Sequence, residues 1–110
     1  MKDDELARTM AKLRAEYAEQ LPGTVTQMED LWRGLVAAEI PPLRLAEFAR
    51  MAHSLTGSGK TFGLPEVSAA ARELESYLDR LVEGGQLPGP AGQQTVSALL
   101  AALRQAAIQR

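Results

Sequence analysis

Apolar residues recur every third or fourth position along almost the whole chain, and no stretch shows the alternation of a strand. That spacing is the signature of amphipathic helices, and the breaks in it mark where each helix stops. Leu6, Met10, Leu13, Tyr17 and Leu21 form one stripe, with Asp3 or Asp4 available as an N-cap. Pro22-Gly23 interrupts it, either as a kink or as a short joint. Val25, Met28, Leu31, Trp32, Leu35 and Val36 make a second stripe, which ends before Pro41-Pro42. A third helix is expected from Leu43 to Phe62, with Gly63 as a stop. Pro65 suits the first turn of a fourth, where Val67, Ala71, Leu74, Leu78 and Leu81 face inward and Gly84-Gly85 close it. After QLPGPAGQ a last helix carries Val96, Leu99, Leu100, Leu103 and Ala107. The short connections favour antiparallel neighbours. The expected fold is therefore an all-α, antiparallel, up-down four-helix bundle with an additional N-terminal helix.

Composition narrows the function. A chain of 110 residues is one domain's worth, with a single modest core. A formal charge of −2 and the lack of a basic run leave no electrostatic footprint for nucleic acid. There is no cysteine, hence no disulfide framework and no thiol chemistry, which suits a reducing cytoplasm. No apolar run approaches the roughly 20 residues of a membrane span. The N-terminus, MKDDELARTM, is acidic and amphipathic rather than a signal peptide. These features lead to the expectation of a cytoplasmic monomer.

One short stretch, GSGKT, looks like the tail of a phosphate-binding loop. The pattern needs a glycine, four spacers and then Gly-Lys-Ser/Thr, so that backbone N–H groups can wrap the phosphates. Ser54 stands where the first glycine belongs, and the preceding LRLAEFARMA has helical spacing instead of a strand's. The nucleotide-binding reading fails on both counts.

The chain's single histidine, His53, falls inside the third helix. Winding at about 100° per residue puts it more than a quarter turn from the centre of the stripe Leu45, Phe48, Ala52, Leu55 and Phe62, so it should be exposed. Its neighbours one turn away are Ala49, Arg50, Thr56 and Gly57, with Lys60 one turn beyond. Glycines inside a helix each cost roughly 1 kcal/mol relative to alanine. Gly59 falls on the apolar stripe, where a missing side chain lets another helix approach. Gly57 falls on the histidine's face, where its use would be to leave the imidazole uncovered. A lone exposed histidine is most often only a surface residue. Metal binding lacks a second histidine, a cysteine or a carboxylate within one turn. A catalytic triad lacks a nucleophile turn at Ser54 or Ser58. An isolated imidazole can still act as a nucleophile and take a phosphoryl group, with Arg50 and Lys60 offsetting part of the added charge.

The segment AHSLTGSGKTFGLPEVSAAARELE, residues 52–75, resembles the signature of histidine-containing phosphotransfer (HPt) domains of bacterial phosphorelays. That pattern runs A-H-x-L-K-G-S-A, then a glycine, then small and apolar residues leading into L-E. Ala52, His53, Leu55, Gly57, Ser58, Gly63, Leu74 and Glu75 match it in register. The resemblance implies a four-helix bundle over the whole chain, His53 as phospho-acceptor and Gly57 as clearance for docking. It implies a phosphorelay intermediate without kinase activity, taking its phosphoryl group from a receiver-domain aspartate and passing it to another receiver. The partners would be response-regulator receivers, including that of a hybrid histidine kinase, with no nucleic acid and no membrane. The chain itself would need no cofactor, magnesium being held by the receiver. Two positions depart from the pattern: Thr56 replaces the common lysine, and Gly59 the usual alanine or serine. Lys60 is the candidate to supply the missing charge. Thr56 keeps open an alternative, a phosphorylation-independent adaptor that docks without accepting phosphate.

Overall fold

The computed structural model describes residues 2–109. Four helices account for nearly all of it: α1 over Lys2–Val36, α2 over Leu45–Thr61, α3 over Pro65–Gly84 and α4 over Pro90–Ile108. A short 3₁₀ turn, Pro42–Arg44, leads into α2. Cross-helix contacts give the directions. Trp32 stacks on Phe48 and Tyr17 on Phe62, so α2 runs antiparallel to α1. Ser68 reaches Thr56 and Glu75 reaches His53, so α3 runs back along α2. Arg104 of α4 meets Thr26 and Glu29 of α1, closing the ring. The up-down bundle expected from the stripes is the fold.

The additional N-terminal helix is not a separate element. It is the leading half of α1, which passes through Pro22 without a break. A proline inside a helix costs about 3 kcal/mol, because it removes one backbone bond and crowds the preceding turn. Here Tyr17, Leu21, Val25 and Met28 stay in phase across it, and Leu21, Val25 and Met28 are fully buried. Breaking the helix at Pro22 would turn one half of that stripe out of the core. Asp3 and Asp4 lie in the first helical turn instead of capping it. There they still face the positive end of the helix dipole.

The stops behave as their chemistry requires. Gly63, at φ +74°, ends α2 in the left-handed conformation, and the Leu64 N–H returns to the Gly59 carbonyl at 2.7 Å. Gly85 does the same for α3 at φ +72°. Pro65 and Pro90 open α3 and α4 at positions where a missing N–H costs nothing.

The core runs along the bundle axis, where Phe48 stacks on Trp32 and is buried with Leu35, Leu74, Leu78 and Leu103. Each stripe contributes, with exceptions at its ends. Val36 is exposed, and Leu81 only partly buried. The largest departure is the start of α1, where Leu6 is 62% and Leu13 41% exposed. A helix of 35 residues is about 52 Å long at 1.5 Å per residue, twice the length of α2. Tyr17 sits level with Ser58 and Phe62 near the end of α2 and the Arg14 side chain still lies beside Gly63, so it is the turns before Arg14 that extend past the end of α2.

Candidate functional site

His53 lies on the outer edge of the α2–α3 seam with its side chain 74% exposed. Its phase follows from the stripe: Ala49, Ala52 and Leu55 face the core, and His53 is turned about 100° from Ala52 toward α3. Across the seam, Glu75 places a carboxylate oxygen against the imidazole Nδ1. Glu75 itself is only 17% exposed, and its other oxygen accepts a hydrogen bond from the Thr56 hydroxyl at 3.2 Å. The same hydroxyl lies 3.1 Å from the Ala52 carbonyl, and the Thr56 carbonyl accepts from the Ser68 hydroxyl at 2.7 Å. The carboxylate is thus held from both sides, and it in turn holds the ring.

That contact has an electronic consequence. A carboxylate accepts hydrogen bonds and does not donate them, so a neutral imidazole beside it carries its proton on Nδ1. The lone pair is then on Nε2, at the far end of the ring on the solvent side.

The glycines divide as their helical phase requires. A Cβ built on Gly57 would meet nothing within 4 Å, so the wall one turn after His53 is bare. A Cβ on Gly59 would lie 3.0 Å from the Ser68 backbone nitrogen, so α3 approaches α2 through the space this residue leaves. Arg50 is exposed one turn before His53, and together with His53, Glu75, Asp79 and Val82 it lines an open groove along the seam. Lys60 is exposed on the same flank as His53, about two turns away, or roughly 10 Å along the axis. Thr56 is partly buried, its hydroxyl turned toward Glu75. Ser58 sits on the other flank, bonded to Tyr17 at 2.6 Å and to the Ser54 carbonyl at 2.8 Å, and serves α1 packing rather than the imidazole. Burial there pushes the Tyr17 hydroxyl above its usual range.

Sequence reasoning brought Arg50, His53, Thr56, Gly57 and Lys60 to one helix, and all five share one flank of it. It found no carboxylate near His53, which is true of α2 alone. The tertiary structure corrects that picture, because Glu75 arrives from 22 residues further along the chain. Periodicity carried no signal for this contact. The only hint was that Glu75 closes the matched motif. Among the described residues no three histidine, cysteine or carboxylate groups gather to hold a metal ion.

Residues 12–106 match the family model of the Hpt domain. The chain belongs to the Hpt domain family. No match was found among curated proteins or solved structures. Hpt domains carry phosphoryl groups on histidine in phosphorelays, act as carriers and not as kinases, and interact with response-regulator receiver domains. No helix among the described residues is long and apolar enough to cross a membrane.

Proposed function

We propose that this Hpt domain is a phosphorelay intermediate whose acceptor atom is His53 Nε2. The observation that carries the reading is the Glu75 contact on Nδ1, which leaves the opposite nitrogen as an exposed lone pair. In the forward step Nε2 attacks the phosphorus of a receiver's aspartyl phosphate, the N–P bond forms, and the aspartate carboxylate leaves. The ring keeps its Nδ1 proton and gains positive charge, which Glu75 stabilises from 22 residues away in sequence. The reverse sequence, on a second receiver's aspartate, returns the neutral imidazole. Nothing in this chain has to move a proton to solvent. Its task is to present a nucleophile in line, which is positioning more than chemistry. A magnesium ion on the receiver would carry much of the phosphoryl charge, with Arg50 and Lys60 the nearest cations on α2. Receivers as partners put the transfer in the cytoplasm.

Bare Gly57 supports docking at this face, because a receiver has to bring its aspartate within bonding distance of the ring. Thr56, with its hydroxyl committed to Glu75 and Ala52, gives the adaptor reading its one specific support, since no lysine stands one turn from the ring. Incubation with a phospho-labelled receiver separates the two. A relay intermediate takes up acid-labile, base-stable label, and His53→Gln abolishes uptake while helical content is unchanged. An adaptor binds the receiver and takes no label. Label persisting on the Gln variant would overturn the assignment of His53.

A further inference from the structure

A receiver that brings its aspartate to His53 Nε2 has to cover far more than the imidazole. Specific interfaces bury roughly 800 Å² on each partner, which as a disc reaches about 16 Å from its centre. The middle of such a patch is apolar and poor in charge. Two directions lead away from His53 along the α2–α3 seam. Toward the end of α2 the flank carries Gly57 and Lys60, with Ser68 and Arg72 on the matching flank of α3 and no large apolar side chain. The other direction is different. At about 100° per residue, Ala46 falls within about 20° of His53 on α2, and Val82 within about 20° of Glu75 on α3. Both helices therefore carry the reactive face on into apolar positions.

Ala46 and Val82 line the groove that holds His53 and Glu75. The same two residues line a second depression with Pro42, Leu43 and Gly85, so the surface is continuous from the imidazole to the 3₁₀ turn. Leu43 is 81% exposed, more than any other large hydrophobic side chain among the described residues, and Val82 is 37% exposed. Local chemistry leaves Leu43 outside: Pro41-Pro42 start the 3₁₀ turn, and Leu45, two residues on, is the side chain that turns into the core. Seven residues of helix put Ala46 about 10 Å from His53 along the axis, and the turn to Leu43 adds about 5 Å. Leu43 thus falls within a receiver's footprint. One exposed leucine is ordinary on a protein surface. Here three apolar side chains from two segments adjoin at one end of the groove that holds the nucleophile. Leu6, Leu13, Val36 and Ile108 are also exposed, but they line neither depression.

We propose that Leu43, Ala46 and Val82 form the apolar anchor of the receiver-docking surface. The receiver then lies over the start of α2 and the end of α3, with an apolar patch beside its own aspartate seated on Leu43. This placement rests on His53 being the phospho-acceptor, and it adds the direction from which the partner approaches.

Leu43→Glu separates docking from chemistry, since the side chain is exposed and its replacement should not disturb the fold. The partner used is the receiver domain of the source organism that labels the wild type fastest. The receiver concentration for half-maximal transfer should rise about tenfold or more, an anchor residue's share of binding, while the rate at saturating receiver holds. Leu43→Met should behave as wild type, and Ile108→Glu, outside both depressions, should change neither quantity. Phosphoramidate, a small donor that phosphorylates an exposed imidazole with no receiver, should label wild type and Leu43→Glu alike. A wild-type half-saturating concentration in Leu43→Glu would overturn the anchor and leave the relay reading standing. So would a variant that keeps its fold but loses phosphoramidate labelling, because Leu43 would then act on the nucleophile. A wild type labelled by phosphoramidate but by no receiver would overturn the relay reading and the anchor with it.

Discussion

Two seams of this bundle are bridged in the same way with opposite results. On the α1–α4 side the Glu29 carboxylate takes two hydrogen bonds from Arg104, at 2.8 and 2.7 Å, and Thr26 accepts a third from the same guanidinium at 2.8 Å. On the α2–α3 side the Glu75 carboxylate meets His53 and the Thr56 hydroxyl. Each cluster joins a carboxylate, a nitrogen base and a threonine across two helices. In the first, every group is satisfied and the guanidinium is charged at all relevant pH values, so the cluster can only hold helices together. In the second, the carboxylate occupies one ring nitrogen and leaves the other as an open lone pair. In the proposed function, this is what makes the bridge a reactive site: its base has a second nitrogen and the wall beside it is bare.

The sharpest way to break that contrast is at the two glycines of the reactive seam. Gly59→Leu has to force α3 away from α2 at Ser68, and overpacking of this kind costs about 1–3 kcal/mol. Gly57→Leu meets open space, so its melting temperature should hold or rise by virtue of helix propensity, a gain of up to about 1 kcal/mol. Its side chain would lean back over the imidazole, and phosphoryl uptake should fall sharply. Melting temperature and transfer rate measured on both variants decide the matter. Loss of the fold at Gly57 with tolerance at Gly59 would show the functional face to be drawn wrongly.

Glu75→Gln should lower the transfer rate by about tenfold, the lower end of what loss of an orienting partner behind a functional histidine does. A conservative Glu75→Asp should recover part of it, and thermal stability should move little in either. Equal loss in stability and transfer would make Glu75 an ordinary structural bridge, like Glu29.

The opposite outcome is expected for Arg104→Met. Both partners there are about a third exposed, at 30% and 35%, so the cost should be only about 1 kcal/mol. Phosphoryl uptake should be unchanged. Lys60→Ala should slow transfer or shorten the phosphohistidine lifetime by roughly fivefold, the scale of one exposed charge-assisted contact. Thr56→Lys in that background should restore it. Wild-type behaviour of Lys60→Ala would leave Arg50 or the receiver to hold the charge.

The smallest effect is a pH dependence. The Arg104 hydrogen bonds hold the Glu29 carboxyl below its usual value. A group that binds its proton less readily in the folded state adds stability above its unfolded pKa, and this is lost as pH falls through the folded one. Wild type should therefore lose slightly more stability than Arg104→Met on acidification below the ordinary carboxylate range. Parallel acid-melting curves for the two proteins would remove Glu29 from that role.

The helices were legible because they rest on local physics. The spacing of Val67, Ala71, Leu74 and Leu78 decides which face is apolar, and Gly63, Pro65 and Gly85 punctuate the chain through their own backbone preferences. The exposure of His53 followed from the same phase, as did the division of labour between Gly57 and Gly59. What periodicity cannot say is which other helix, if any, meets a given face. That is why Glu75 beside His53, the unbroken passage of α1 through Pro22, and the bare stripe at Leu6 and Leu13 appeared only in three dimensions. By itself the sequence determined which stretches are helical, their inward faces and the one exposed imidazole. Only the tertiary structure decided which ring nitrogen is open and which apolar face is left uncovered, because both depend on contacts between segments distant in the chain.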